Sequence, residues 1–429
     1  MATPCIGIRR EDKSPWERRV PLVPRDVQQL VQDGIRVVVQ PSPVRIHPEE
    51  AYERAGAVID EDLSSCSVVF GVKEMPVEVF ETGQAYVFFS HTIKGQPDNM
   101  PMLQCLIDRG CHLIDYERVV DDAGKRLIFF GWYAGVAGMV ESLVALGARA
   151  EQAGTRTAFA ELEQPYCYDS IDSMRNALAA AAGRIAADGI PETLRPLVIG
   201  LTGYGNVSQG AQAMLDRLPV TPIPPGEVAS LHADTPGAEK TIFKAVFEEK
   251  HLVRRRNGAA FELQHYYSHP EEYESVIEQA LPHLTMLVNC MYWDARYPRL
   301  VTKDWLRRSW ADSRLQVIGD IGCDIDGAIE VTHRATEPGN PCYVYEPATD
   351  TWRDGVAGDG PAIMAVDILP TELPADSSQH FSTVLMPWVR SIANTDFRVP
   401  LDRLVLPAAI RRALVLHGGR LTPDYAYLS

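Results

Sequence analysis

The sequence predicts an α/β protein of two domains, each built on a parallel sheet. Three observations carry that expectation. Short β-branched or aromatic runs alternate with amphipathic stretches through the first ~130 residues. An Ala- and Gly-rich segment, YAGVAGMVESLVALGARAEQ (133–152), reads as one long helix where the chain changes domain. A glycine-rich turn after an apolar strand appears only at 203, once a full set of α/β elements has gone by. Strands that alternate with helices give mostly parallel sheets.

In chain order, IRVVVQP (35–41), SVVFGVK (67–73) and AYVFFSH (85–91) read as buried strands, each followed by Gly, Pro or a polar residue. PRDVQQLVQDG (24–34) and MPMLQCLIDRG (100–110) have helical spacing and end at Gly. The small residues of 133–152 allow close helix–helix approach. Residues 154–194 are mainly helical, with Pro191 as a break. RPLVIGLTG (195–203) is an apolar strand, and GYGNVSQGAQAMLDRL (203–218) runs from a turn into an amphipathic helix. Strands follow at PVTPI (219–223), TMLVNCMYW (285–293) and LQVIGDIG (315–322). Beyond 340 the chain is richer in loops, with helices expected at 380–392 and 406–418.

Apolar residues are 46% of 429 and charged residues 23%, which fits a folded globular chain and excludes a disordered tail or fibre. The net charge of −16 repels phosphate backbones, so nucleic acid is an unsuitable partner. No apolar run reaches ~18 residues, so no transmembrane helix is expected. The first residues carry charge where a signal peptide needs an apolar core, which leads to a cytoplasmic expectation. The eight cysteines are scattered without a CxxC pair. Buried thiols are expected from them, and no metal site.

Gly203-Tyr-Gly205-Asn206-Val207-Ser208-Gln-Gly210 follows a strand and opens a helix. A dinucleotide turn needs one glycine for the bend and a second for backbone approach to the pyrophosphate, which rests on the helix N-terminus. Ser208 stands where a third glycine is usual. The reading is therefore two Rossmann-like domains with parallel sheets and an active-site cleft between them. Residues 1–135 with 345–429 form the substrate and catalytic domain, and 136–344 the dinucleotide-binding domain. Glu227, after the strand at 219–223, is the candidate for a ribose hydroxyl. Arg254, Arg255 and Arg256 could meet a 2′-phosphate or form a solvated run. Composition alone does not separate NAD from NADP.

Polar residues gather after the strands of the first domain. Lys73 closes one strand, where desolvation can lower its pKa toward the proton-transfer range. His91 ends the next, with Gln96 in the same loop. Glu117 ends a third. Arg19, in WERRVPLVP, can hold a carboxylate by a bidentate fork. The bland view is that Lys73 pairs with Glu74 or Glu117 and supports a loop.

These segments carry a resemblance. ERRVPLVP, GVKEMP, FFSHTIKGQ, LIDYERV, GWYAGVAGM, GYGNVSQGA, VNCMYW and CDIDGAIEVTHRATE resemble the lysine–ketoglutarate reductase family, the lysine-forming saccharopine dehydrogenases, within the alanine dehydrogenase-like superfamily. The likeness runs from about residue 9 to TPDYAYL at the end, and covers the reductase half of the bifunctional aminoadipic semialdehyde synthase. It implies condensation of L-lysine with 2-oxoglutarate and reduction of the imine to saccharopine, reversibly. It implies Lys73 and His91 as the proton-transfer pair, and Arg19, Gln96, Glu117 and Phe130 at the substrate. It implies Arg126, Gly203, Gly205, Asn206, Val207, Ser208 and Asp320 at the cofactor. Across 220–275 the chain follows the animal and plant form, and NADP(H) rather than NAD(H) is carried over on that basis. A separate glutamate-forming dehydrogenase and a second copy of the chain are the protein partners left open. Two other readings compete: an amino-acid dehydrogenase acting on ammonia or another amine, and a sensor that binds without turnover.

Overall fold

The computed structural model describes residues 3–429. The first six strands are β1 (Cys5–Ile8), β2 (Arg36–Val39), β3 (Val58–Ile59), β4 (Val68–Phe70), β5 (Ala85–Phe88) and β6 (His112–Asp115). Helices α1 (Pro24–Gln32), α2 (Glu49–Arg54) and α3 (Met100–Asp108) lie between them. All six pair in parallel, because each strand is followed by a crossover rather than a hairpin. Their side chains are almost all buried, which explains their continuous apolar runs.

The second unit starts with α4 (Gly131–Gln152) and α5 (Ile171–Asp188). Then come β7 (Leu197–Thr202), α6 (Asn206–Leu215), β8 (Val220–Ile223) and β9 (Ile242–Phe247). After α7 (Glu249–Leu252), the small hairpin of β10 (Val253–Arg255) and β11 (Tyr273–Ser275) encloses α8 (Leu263–Ser268). The core continues with β12 (Met286–Asn289), α9 (Lys303–Ser309), β13 (Val317–Asp320), β14 (Cys342–Glu346), β15 (Thr351–Asp354) and β16 (Ala362–Met364). The sheet order is β15-β14-β16-β13-β12-β7-β9-β8, with every pairing parallel except those of β14, which runs against both β16 and β15.

The chain then returns to the first unit with α10 (Pro374–Ala393), α11 (Ala408–Arg412), β17 (Leu414–His417) and β18 (Arg420–Leu421). The first sheet thus has the order β18-β17-β6-β5-β4-β1-β2-β3. One compact unit comprises the residues up to Phe130 with Pro374–Ser429, and the other Gly131–Leu373. The return comes at 374, where the sequence led us to expect 345. Residues 345–373 stay in the second unit because β16 pairs with β13 and carries β14 and β15 with it. The expected helix at 406–418 is also different. It stops at Arg412, and Leu414-Val-Leu416 becomes an edge strand antiparallel to β6. Among the described residues no helix is long and apolar enough to cross a membrane.

The long helix α4 packs on α6 at backbone distance. A Cβ on Gly135 would stand 1.9 Å from the Val207 carbonyl oxygen, and one on Gly210 would stand 2.0 Å from that of Trp132. Neither obstacle is a flexible side chain, so the helices themselves must part to admit a methyl group. Gly210→Ala is therefore expected to lower the unfolding free energy by ~1–3 kcal/mol or more. Gly183→Ala is the control, because a Cβ there meets nothing within 4 Å. It should be neutral or stabilising by up to about 1 kcal/mol. Equal denaturation midpoints for the two variants would contradict the close approach.

Candidate functional site

Strands β1, β4, β5 and β6 are parallel neighbours, so their carboxyl ends share one edge of the first sheet. Ligands of α/β sheets bind at such edges. Lys73 lies three residues beyond β4, His91 three beyond β5 and Glu117 two beyond β6. Glu11, three residues beyond β1, holds the Lys73 loop. The Val72 N–H donates to its Oε1 at 2.7 Å and the Lys73 N–H to its Oε2 at 3.0 Å. Burial, and then the nearby Glu17 charge, push the Glu11 carboxyl up to about 7.

The Lys73 ammonium has no ion pair among the described residues. Burial first, and the Arg19 charge second, lower its pKa from the ordinary lysine value. Glu74 instead serves His91, with Oε1 2.6 Å from Nδ1, while Lys13 reaches Oε2 at 2.7 Å. Burial alone would raise the Glu74 pKa, but the hydrogen bond and charge of His91, with Lys13, outweigh it and hold the carboxyl at about 2. An ionised Glu74 fixes the Nδ1 proton and leaves Nε2 as the other working atom of the ring. His91 has φ +49°, a left-handed conformation that costs a non-glycine residue ~1–3 kcal/mol. Asn99 Nδ2 donates to its carbonyl at 3.3 Å. Beneath it, buried Asp115 accepts from the Ser90 amide at 3.2 Å and from the Ser90 hydroxyl.

Arg19 is buried and bound to Glu17 through Nε at 2.7 Å and Nη2 at 2.5 Å. Its guanidinium stands 4.3 Å from the centre of the Phe130 ring, which stacks on Phe381 at 4.7 Å. Arg19 and Phe130 thus form one wall of this edge. Glu117 and Arg126, expected at substrate and cofactor respectively, form an ion pair with each other. Gln96 is exposed in the loop after His91.

In the second unit, Gly203 turns at φ +81°, a conformation that favours glycine, and its N–H donates to the Phe247 carbonyl at 2.8 Å. Helix α6 starts at Asn206 after Gly205, with no side chain capping it. Its first N–H groups are therefore available to an anion. A Cβ on Gly205 would meet nothing within 4 Å, so the fold does not require glycine there, whereas a close-lying ligand would. Val207 packs toward α4, and Ser208 is buried, accepting from Gln212 Nε2 at 3.1 Å. A cavity of about 490 Å³ opens beside the turn, lined by Gly203, Tyr204, Gly205, Glu249, Tyr267 and Met291 among others. These features fit a nicotinamide dinucleotide, whose phosphates Gly203, Gly205 and Asn206 would hold.

Two expected cofactor residues sit differently. Asp320 is buried, and burial pushes its carboxyl up to about 6. Asn289 Nδ2 donates to it at 2.8 Å and Thr332 Oγ1 at 2.6 Å, while Thr202 Oγ1 donates to Asn289 Oδ1 at 2.9 Å. Asp320 therefore ties together the ends of β7, β12 and β13. Glu227 follows β8, and β8 is not the neighbour of β7; β9 stands between them. Glu249, beyond the end of β9, lines the cavity and Glu227 does not. The sequence reading missed Glu11, Glu17 and Glu249, and weighed Glu74 only as a partner for Lys73.

The sequence model of the alanine dehydrogenase/PNT N-terminal domain matches residues 7–137, and that of the C-terminal domain matches 232–424. The chain belongs to the alanine dehydrogenase/PNT family. Neither model covers the glycine turn, whose reading rests on its geometry. This family member is 37% identical over 442 residues to the alpha-aminoadipic semialdehyde synthase of Arabidopsis thaliana, covering 99% of this chain and 41% of that protein. It is 32% identical over 441 residues to the mitochondrial synthase of Mus musculus, covering 99% and 47%. The chain thus spans less than half the length of these relatives. The saccharopine dehydrogenase [NAD(+), L-lysine-forming] of Emericella nidulans is 27% identical over 405 residues, covering 90% of this chain and 92% of that one. In fold, an L-alanine dehydrogenase matches with a TM-score of 0.63 at 18% identity, covering 99% of this chain and 98% of that one.

Gly205→Val is expected to leave the fold intact and to weaken dinucleotide binding at least ~10²-fold, since the branched side chain fills the approach to α6. Calorimetric titration checks this. Unchanged affinity in a folded variant would move the nucleotide elsewhere.

Proposed function

We propose that this chain condenses L-lysine with 2-oxoglutarate and reduces the imine to saccharopine, reversibly, in lysine metabolism. The observation that carries the reading is the pair at the strand edge: a desolvated, unpaired Lys73 and a His91 fixed by Glu74. The likeness of nearly the whole chain to the semialdehyde synthases, and to lysine-forming saccharopine dehydrogenases, supports the choice of substrates. The cofactor is a nicotinamide dinucleotide. The resemblance to the animal and plant form suggests NADP(H), whereas the fungal relatives are named as NAD(+) enzymes.

The chemistry needs two proton transfers before reduction. Lysine carries its ε-amine protonated in water, and only the neutral amine attacks a ketone. Neutral Lys73 takes that proton. Nitrogen then bonds to the keto carbon as the C=O π bond opens, its extra proton passes to the alkoxide oxygen, and the carbinolamine forms. His91, protonated, gives its Nε2 proton to the leaving hydroxyl, and water departs to leave the protonated imine. When bound, the reduced nicotinamide supplies the hydride for the imine carbon. Arg19 holds a substrate carboxylate, with its charge already shared by Glu17, and Phe130 packs against that guanidinium. The resemblance suggests Gln96 and Glu117 at the substrate and Arg126 at the cofactor.

Steady-state rates with lysine, ammonia and other amines, each with 2-oxoglutarate and reduced cofactor, test the reading. Turnover on lysine should dominate. Faster turnover on ammonia would turn the chain into an amino-acid dehydrogenase, and binding without turnover on any amine would make it a sensor. Lys73→Met and His91→Gln should each lower turnover by ~10²-fold or more, on kcat rather than cofactor affinity. The double variant should lose less than the product of the two, because the pair acts as a unit. A lowered Lys73 pKa places the acid limb of the condensing reaction, since below that pKa the residue is protonated and cannot accept. Lys73→Met should flatten this limb. Were Lys73 only a supporting cation, its loss would lower the melting temperature and leave a normal pH profile.

A further inference from the structure

We propose that Cys5 and Cys66 form a reversible dithiol–disulfide site in the first unit, which takes up one equivalent of hydrogen peroxide and staples β1 to β4. The two sulfurs lie 3.2 Å apart, and both thiols are free. Strands β1 and β4 pair in parallel with Ile6 opposite Val68, so Cys5 lies level with Ser67 and Cys66 one residue behind it. The Ser67 N–H donates to the Cys5 carbonyl at 3.0 Å, which holds that register ahead of Val68. A neighbour one strand across and one residue back has its Cα roughly 6 Å away, inside the range of ~4.4–6.8 Å that a disulfide spans. The sulfurs need only approach by about 1 Å to reach the ~2 Å bond. The pair sits at the amino ends of β1 and β4, whereas Glu11 and Lys73 follow their carboxyl ends. Oxidation therefore leaves the Lys73 loop in place and does not depend on the reaction proposed for it.

The two thiols are unequal, and that gives each a role. The Cys66 thiol donates to the Cys5 sulfur, which lowers the Cys5 pKa to about 7 against the effect of burial, and Arg36 and Ser65 act in the same direction. The same bond, with burial, raises Cys66. Burial raises the thiols of Cys111, Cys167, Cys290, Cys323 and Cys342, so Cys5 stands apart from them as a thiolate. The thiolate is the nucleophilic form. Cys5 and Cys66 are buried, but Thr3, Arg36, Ser65 and Ser67 around them are exposed, so the pair lies one side chain below the surface. That depth suits an oxidant as small as hydrogen peroxide. The Cys5 thiolate attacks one peroxide oxygen, the O–O bond breaks, and hydroxide leaves and takes a proton from solvent. Cys5 is then a sulfenic acid. The Cys66 sulfur attacks the Cys5 sulfur, the S–O bond breaks, and the Cys66 proton departs with the hydroxide as water. The two thiols lose two electrons in all, and one peroxide becomes two waters. An external dithiol reverses the bridge by exchange.

The test is one equivalent of hydrogen peroxide on the reduced full chain, followed by peptide mass spectrometry without reductant. A Cys5–Cys66 bridge should form before any other cysteine is oxidised, with the loss of two hydrogens. The bridge closes a long loop of the unfolded chain, so the melting temperature should rise by ~5 °C or more and fall back after dithiothreitol. Cys66→Ser keeps a donor to Cys5 but removes the second sulfur, and its Cys5 should be trapped by dimedone as a sulfenic acid. Cys5→Ser should leave Cys66 unmodified under the same conditions. The wild-type peptide map decides the matter even where a variant misfolds. First oxidation at another cysteine, a mixture of pairings, or a bridge that leaves the melting temperature unchanged overturns the proposal.

Discussion

A charge taken out of water must find a partner or give up its charge, and the first unit is organised around that constraint. Arg9 pairs with Asp12, and Arg19 with Glu17. Glu74 binds His91 and Lys13, and Glu11 takes two backbone amides. Removing one member of the Arg19–Glu17 pair, buried on both sides, costs about 3–5 kcal/mol, because the other is stranded. Lys73 is the exception in this set. It sits among these pairs with no carboxylate of its own, and its remaining response to burial is a lowered pKa. The same constraint explains why the left-handed turn at His91 persists. The Glu74 contact, the Asn99 bond to its carbonyl and the Ser90–Asp115 bonds beneath it together fix the loop against its strain.

In the second unit, polar ties and close packing do the corresponding work. The series Thr202, Asn289, Asp320 and Thr332 links the ends of three adjacent strands through buried hydrogen bonds. Each buried group in it is satisfied by the next, so the strand ends are held in one arrangement. Gly135 and Gly210 then let α4 seat on α6, which sets the direction in which the N-terminus of α6 points. The glycine turn is thus fixed from two sides, by sheet and by helix. Gly205 between them is left open to solvent or ligand.

Much of this was legible in the sequence because it is local. Buried parallel strands announce themselves as apolar runs, and the runs at 35–41, 67–73, 85–91 and 195–203 all contain strands. The glycine turn and the Ala-rich helix carry their own signals. What was not legible depends on pairing between distant segments. The order of β8 and β9 in the sheet reverses their order along the chain, and that alone shifts attention from Glu227 to Glu249. Strands β14 to β16 lie in a stretch whose prolines and glycines look like loop, and tertiary pairing with β13 makes them sheet. Asp320 sits at the end of a strand, as a ligand contact would, yet its environment turns it inward to Asn289 and Thr332. Glu17 and Glu74 are adjacent in sequence to residues that drew notice, but which partner each takes is decided by burial and distance.

The account rests on Lys73 being desolvated and unpaired, and its titration tests this most directly. The rate of acylation of Lys73 by an amine-reactive reagent, followed by peptide mass spectrometry across pH, gives its midpoint. Exposed Lys125 in the same protein serves as the reference. The account predicts a Lys73 midpoint below that of Lys125. A midpoint equal to or above that of Lys125 would mean that Lys73 stays charged through the neutral range, and would contradict its role as the proton acceptor.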